Sequence, residues 1–128
     1  MLGERAAETI KIRIGSASEL DEPLTFDMRG RDMVTGLPKE ISVSDAQIRE
    51  AIARSIKIIV ENVKATLEVT PPELVADIYE RGIVLAGGGA LLKNIDKVIS
   101  HAAEIPVRIA DDPLTCVVRG TGFLLDNI

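Results

Sequence analysis

The run Ile83-Val84-Leu85-Ala86 passes directly into Gly87-Gly88-Gly89, and an amphipathic stretch with Leu91, Leu92, Ile95, Val98 and Ile99 follows. A short apolar run closed by glycines reads as a buried strand, and the spacing after it reads as a helix. Upstream, a helical pattern through Val75 and Ile78 stops at Gly82. Downstream, Ile105 to Ala110 reads as a second strand, and Asp111-Asp112-Pro113 as the cap of a last helix containing Val117, Val118 and Gly120-Thr121-Gly122. Residues 71–128 therefore alternate helix, strand, helix, strand, helix, a parallel α/β pattern. Two strands cannot complete such a sheet or protect its edges. The missing strands are expected from a partner, another copy, or chain outside this sequence.

The first half is organised differently. Residues 4–14 carry Ala7, Ile10 and Ile14 at helical spacing, with Gly15 and Ser16 ending the pattern; the helix begins abruptly, which fits a chain cut from something longer and also a natural start there. From Leu24 the period becomes two, and the turn residues Gly30-Arg31-Asp32 and Thr35-Gly36-Leu37-Pro38 lead to Ile41 and Val43, which predicts an antiparallel hairpin or meander. Ser44-Asp45-Ala46-Gln47 fits a capping box. It opens a long helix with the stripe Ile48, Ile52, Ile56, Ile59, Val63 and Leu67, and with Glu50–Arg54 and Lys57–Glu61 pairs on its solvated face. Thr70-Pro71-Pro72-Glu73 reads as the next helix start, with Thr70 as cap and Glu73 reaching back.

Composition removes several function classes. One Tyr, two Phe and no Trp provide no platform for stacking bases, and a net charge of −5 opposes a nucleic-acid backbone as partner. The single cysteine, Cys116, excludes an internal disulfide and a Cys-based zinc site, fits a reducing cytosol, and reads as a buried structural thiol. His101 has no partner for metal binding or base catalysis and is expected at the surface. No apolar run reaches the length of a membrane span.

Two features bear on chemistry. Glycines at a strand-to-helix turn let backbone approach a ligand, and the following helix start offers unpaired donors; the same turn also serves as a plain tight connection. Glu8 and Lys11 are neighbours on one face of the first helix, so a carboxylate suited to ribose hydroxyls and a lysine stem suited to a flat base point the same way. An ordinary surface ion pair has the same spacing. No catalytic triad or metal-ligand spacing is present, so the chain alone is expected to be inactive as an enzyme.

Taken in order, Gly3-Glu4-Arg5-x-Ala7-Glu8-x-Ile10-Lys11, Arg29-Gly30-Arg31-Asp32-x-x-Thr35-Gly36-Leu37-Pro38, Thr70-Pro71-Pro72-Glu73-Leu74, Arg81-Gly82-Ile83-Val84-Leu85-x-Gly87-Gly88-Gly89-Ala90-Leu91-Leu92 and Asp112-Pro113-Leu114 resemble the MreB family of bacterial actins. The resemblance spans essentially the whole chain. The glycine motif is shared with chaperone ATPases and sugar kinases, whereas the Thr35–Pro38 and Thr70–Leu74 segments are specific to MreB and its close paralogues. Ala6 departs from the threonine common there.

The resemblance implies an α/β fold: an incomplete actin-like, ribonuclease H-like second domain with a small α+β subdomain. Residues 1–50 would form most of the smaller subdomain and residues 51–128 the C-terminal part of the larger. It implies ATP as ligand, with Glu8 on the ribose hydroxyls, Ala7 and Lys11 beside the base, and the backbone of Gly87, Gly88, Gly89 and Ala90 against adenosine and the α-phosphate. Mg2+, both phosphate loops, the water-positioning acid and the membrane-inserting segment would belong to upstream chain. The family further implies self-association into filaments, partners in cell shape and wall synthesis, no nucleic acid, and a cytoplasmic location at the inner membrane face. An interaction module without nucleotide, or a fragment of a chaperone or sugar-kinase ATPase, are the alternatives.

Overall fold

A computed structural model describes residues 3–127. The chain runs α1 (Glu4–Ile14), β1 (Thr25–Arg31), β2 (Pro38–Ser44), α2 (Asp45–Glu68), α3 (Pro72–Arg81), β3 (Ile83–Leu85), a 3-10 turn (Gly88–Leu91), α4 (Ile95–Ala103), β4 (Val107–Ile109) and α5 (Cys116–Asp126). β1 and β2 form the expected antiparallel hairpin, in register from Thr25 opposite Ser44 to Arg31 opposite Pro38. β3 and β4 pair in parallel, Ile83 with Val107 and Leu85 with Ile109. Among the described residues each sheet has only two strands, so the strand shortage read from the sequence is real.

The capping box forms as expected. Gln47 N–H donates to Ser44 Oγ at 3.3 Å, and Ser44 N–H donates to Gln47 Oε1 at 2.9 Å. The stripe on α2 is displaced from the one expected: Ile56 is buried with Ile52, Val60 and Val63 packed around the core, whereas Ile59 is 43% exposed. At about 100° per residue, position 60 lies roughly 40° round from Ile56 and position 59 roughly 60° the other way, so α4 selects Val60. Among the described residues, the ion pair on this helix is Asp45–Arg49, at 3.0 Å, in place of the expected Glu50–Arg54 and Lys57–Glu61 pairs.

Three expected helix starts are corrected. Thr70 does not cap α3: its hydroxyl donates to Thr66 O at 2.6 Å and closes α2, while Pro71 stands at the cap position. Asp112 does not cap α5; at φ +48° it accepts from the Thr115 hydroxyl at 2.6 Å, and Arg119 braces the turn through the carbonyls of Asp111 and Asp112. α4 does not follow the glycines directly. A 3-10 turn intervenes, Leu92 is extended, Asn94 is left-handed, and the helix begins at Ile95. Glycines propagate helix poorly, and Lys93 is held by a strand-like bridge to Ser16.

The core is aliphatic. Ile56, Ile95 and Ile99 are buried together, joined by Leu85, Leu92, Val98, Val107 and Ala17. Each fully buried isoleucine contributes about 1.5–3 kcal/mol. Gly82 makes the tight entry to β3 possible: φ is +83°, and a Cβ there would stand 2.7 Å from the Pro106 carbonyl oxygen. Cys116 is half-buried, with Sγ 3.7 Å from the Pro113 carbonyl oxygen, rather than buried as read from the sequence. His101 is exposed, as expected.

Candidate functional site

Ala7, Glu8 and Lys11 lie on one exposed face of α1. Glu8 Oε2 and Lys11 Nζ are 2.8 Å apart, with the side chains 57% and 46% exposed. So accessible a pair is worth about 0–1 kcal/mol, and an arriving hydroxyl can separate it at little cost. Burial and charge therefore leave the Glu8 carboxylate available as an acceptor.

The glycine segment stands at the end of β3. Gly87 has φ +87°, and its N–H donates to the Pro113 carbonyl at 2.7 Å, tying the turn to the chain before α5. Ala90 is buried, and its N–H donates back to Gly87 O at 3.2 Å. A Cβ added at Gly87 or Gly89 would meet no heavy atom within 4 Å, while one at Gly88 would come 3.3 Å from Leu114 Cδ2. Bare backbone thus borders open space. The donors of Gly87 and Ala90 are committed internally, and the later start of α4 removes the helix dipole from the turn.

No hydrogen bond or ion pair among the described residues joins Ala7, Glu8 or Lys11 directly to Gly87–Ala90. The two groups meet one step away. Ser16 bridges Lys93, Ala17 N–H donates to Lys93 O at 2.8 Å, and Lys93 Nζ donates to Arg13 O at 3.1 Å. The C-terminal end of α1 is therefore fastened to the chain just after the glycine turn.

Beside this junction lies a polar network that sequence reasoning passed over. Ser16 is 0% and Asp45 4% exposed. One terminal nitrogen of Arg49 lies 3.1 Å from Ser16 Oγ, 3.0 Å from Asp45 Oδ2 and 3.3 Å from Ser18 O. The Leu24 N–H beside Asp45 holds its carboxyl below the usual range, against burial and with help from Arg49. The spacing of Asp45 and Arg49, four apart on α2, was the available signal.

The sequence model of the MreB/Mbl protein family matches residues 1–128. The chain is 47% identical over 128 residues to the cell shape-determining protein Mbl of Bacillus cereus, covering 100% of this chain and 38% of that protein. It is 46% identical over 128 residues to the cell shape-determining protein MreB of Escherichia coli, covering 100% of this chain and 37% of the relative. The crystal structure of MreB5 of Spiroplasma citri bound to ADP superposes with a TM-score of 0.93 at 40% identity, over 98% of this chain and 38% of the other. The AMPPNP-bound structure of the same protein gives 0.91. The chain spans well under half the length of these relatives, yet the match runs from end to end, and its mixed helix–strand fold is that of the actin-like MreB proteins: it belongs to the MreB/Mbl family.

Proposed function

We propose that this chain supplies the adenosine-facing wall of an ATP site in an actin-like filament protein that determines cell shape. The observation that carries the reading is bare backbone at Gly87 and Gly89 facing open space, on a segment fastened to the helix that exposes Glu8 and Lys11. The residues fit a nucleoside: Glu8 accepts from ribose hydroxyls, Ala7 leaves room for the base, the Lys11 stem lies along it, and Gly87–Ala90 border the adenosine and α-phosphate. That MreB5 of Spiroplasma citri was crystallised with ADP and with AMPPNP supports the choice of ligand.

Among the described residues no three His, Cys, Asp or Glu converge to hold a metal. Mg2+, the phosphate loops and the acid that positions the attacking water are assigned to the remainder of a complete protein, and the chain alone releases no phosphate from ATP. In that protein, residues 1–50 and 51–128 would belong to the smaller and larger subdomains of its second half, with α2 running through the boundary. It would assemble into filaments with cell-shape and wall-synthesis proteins at the inner face of the membrane. Among the described residues no helix is long and apolar enough to cross one; the family resemblance is what assigns membrane attachment to the other half.

The test is calorimetry with ADP and a deoxyribose analogue. Glu8→Ala removes charge-assisted bonds worth about 1.5–3 kcal/mol, so ADP affinity falls roughly tenfold to a hundredfold and the preference for ribose disappears. Glu50→Ala, on the solvated face of α2, leaves both unchanged. Wild-type affinity in Glu8→Ala would make Glu8 a surface charge and remove the ribose assignment.

A further inference from the structure

We infer that Arg49, remote from the nucleoside itself, is a positioning residue that fixes the spacing between α1 and the glycine turn and so sets nucleotide affinity. The inference rests on the nucleotide reading above. The two halves of the candidate site share no direct bond, so their separation depends on the Ser16–Lys93 junction. That junction is backbone pairing, Ser16 to Lys93 and Ala17 N–H to Lys93 O, with Leu92 Cδ1 packed 3.3 Å from where a Gly15 Cβ would lie. Ala17 and Leu92 pack on the Ile56–Ile95–Ile99 core and Asn94 Nδ2 donates to the Glu19 carbonyl at 3.3 Å, but these contacts do not fix a hydrogen-bonded position at Ser16 itself. Arg49 does so: its guanidinium reaches the Ser16 hydroxyl and the Ser18 carbonyl, on both sides of Ala17, while Asp45 holds it from behind. Asp45 is in turn locked to Leu24 at the root of the hairpin.

Arg49 is partly buried, its side chain 25% exposed, but Ser16 and Asp45 beneath it are buried, and moving the guanidinium would leave those polar groups unpaired. The junction therefore has one permitted position relative to α2. Glu8, about two turns up α1 from Ser16, and Gly89, a few residues before Lys93, inherit that position. A displacement of about 1 Å stretches a hydrogen bond of about 2.9 Å beyond bonding reach, so contacts made from both sides at once depend on that spacing.

The experiment compares Arg49→Met, Arg49→Lys and Ser16→Ala in the complete protein. ADP and its deoxyribose analogue are titrated by calorimetry, and exchange of the Ala17 amide hydrogen is followed without nucleotide. Arg49→Met is expected to exchange Ala17 at least tenfold faster, to bind ADP at least tenfold more weakly, and to lose the preference for ribose. Arg49→Lys, which keeps the charge against Asp45 and one reach toward Ser16, recovers part of both. Ser16→Ala retains the Asp45–Arg49 pair and folding, and shows the same changes on a smaller scale, about threefold. If Ser16→Ala and Arg49→Met bind ADP with wild-type affinity and wild-type ribose preference, whatever their melting temperatures, the network is structural and the inference fails while the nucleotide reading stands. A wild-type protein that binds no ADP would remove both.

Discussion

Leu24 and Asp45 grip each other twice: the Asp45 N–H donates to the Leu24 carbonyl oxygen at 2.9 Å, and the Leu24 N–H donates to Asp45 Oδ1 at 2.9 Å. This reciprocal pair closes the base of the hairpin against the first turn of α2. It also explains why a carboxylate can sit there 4% exposed, since each of its oxygens accepts an N–H, Oδ1 from Leu24 and Oδ2 from Arg49.

A pH dependence follows. The Leu24 N–H, and secondarily Arg49, favour the charged form, so the folded pKa of Asp45 lies below its unfolded value of about 4. Its stabilisation is fully present above that value and is lost as pH falls through the lower folded one. Asp45→Asn keeps an acceptor for Leu24 but removes the charge facing Arg49. At neutral pH its melting temperature should be lower, and the gap should begin to narrow below about pH 4 and close as pH falls through the lower folded pKa. Asp32 is held low in the same way by the Val34 and Thr35 N–H groups, but it is common to both proteins and cancels in the comparison. A gap that stays constant down to acid pH would show that the charge contributes nothing.

Gly82 offers a backbone test. Its φ of +83° with ψ of −177° belongs almost exclusively to glycine, and a Cβ would approach the Pro106 carbonyl oxygen to 2.7 Å. That same carbonyl accepts the Ile83 N–H at 2.8 Å at the entry to the parallel pair. Gly82→Ala should lower unfolding free energy by about 1–3 kcal/mol, read from denaturant titration. An unchanged midpoint would mean that the turn relaxes freely.

What could be read from the sequence was what short-range chemistry determines. Ser44 and Gln47 are three residues apart, and the alternation after Leu24 gave the hairpin and the half-buried face of β1 with Phe26 and Met28, whereas Ile41 on β2, expected to alternate, is 36% exposed. Glu8 and Lys11 pair because one helical turn brings them together. The later start of α4 was hidden, because it depends on Lys93 being held by Ser16, far away in the chain. The Arg49 network was hidden for the same reason: its partners Ser16 and Ser18 lie 33 and 31 positions away. Arg49 alone looks like one more charge on a solvated helix, and only folding places it over a buried serine.

The unfinished parallel sheet predicts association. Val84 and Ile109 on β3 and β4 are 47% and 36% exposed, and α5 presents Val117, Val118, Phe123 and Leu125 at 67–73%. Open strand edges and exposed apolar side chains recruit other chains. The isolated chain should sediment faster as concentration rises, and Phe123→Lys with Val118→Lys should weaken that dependence. A monomer at every concentration, with the β3 and β4 amides protected from exchange, would refute this.

The glycine turn separates backbone need from ligand room. Gly87 combines φ +87° with ψ +173°, a region open essentially to glycine alone, so Gly87→Ala should cost about 1–3 kcal/mol of stability whether or not a nucleotide binds there. Gly88 is ambiguous, because a side chain would also press on Leu114. Gly89 is the clean position: it lacks a positive φ, and a Cβ would meet nothing within 4 Å. Gly89→Val should therefore leave the melting temperature nearly unchanged. If the open space beside it is the nucleoside's, the branched side chain excludes the ligand, and ADP affinity should fall at least tenfold, about 1.4 kcal/mol. Melting and calorimetry on the same sample distinguish the cases. Stable protein with weakened ADP binding places the adenosine against Gly89. Stable protein with wild-type ADP binding puts the nucleoside elsewhere, and a protein-binding module without a nucleotide contact here becomes the better account of the chain.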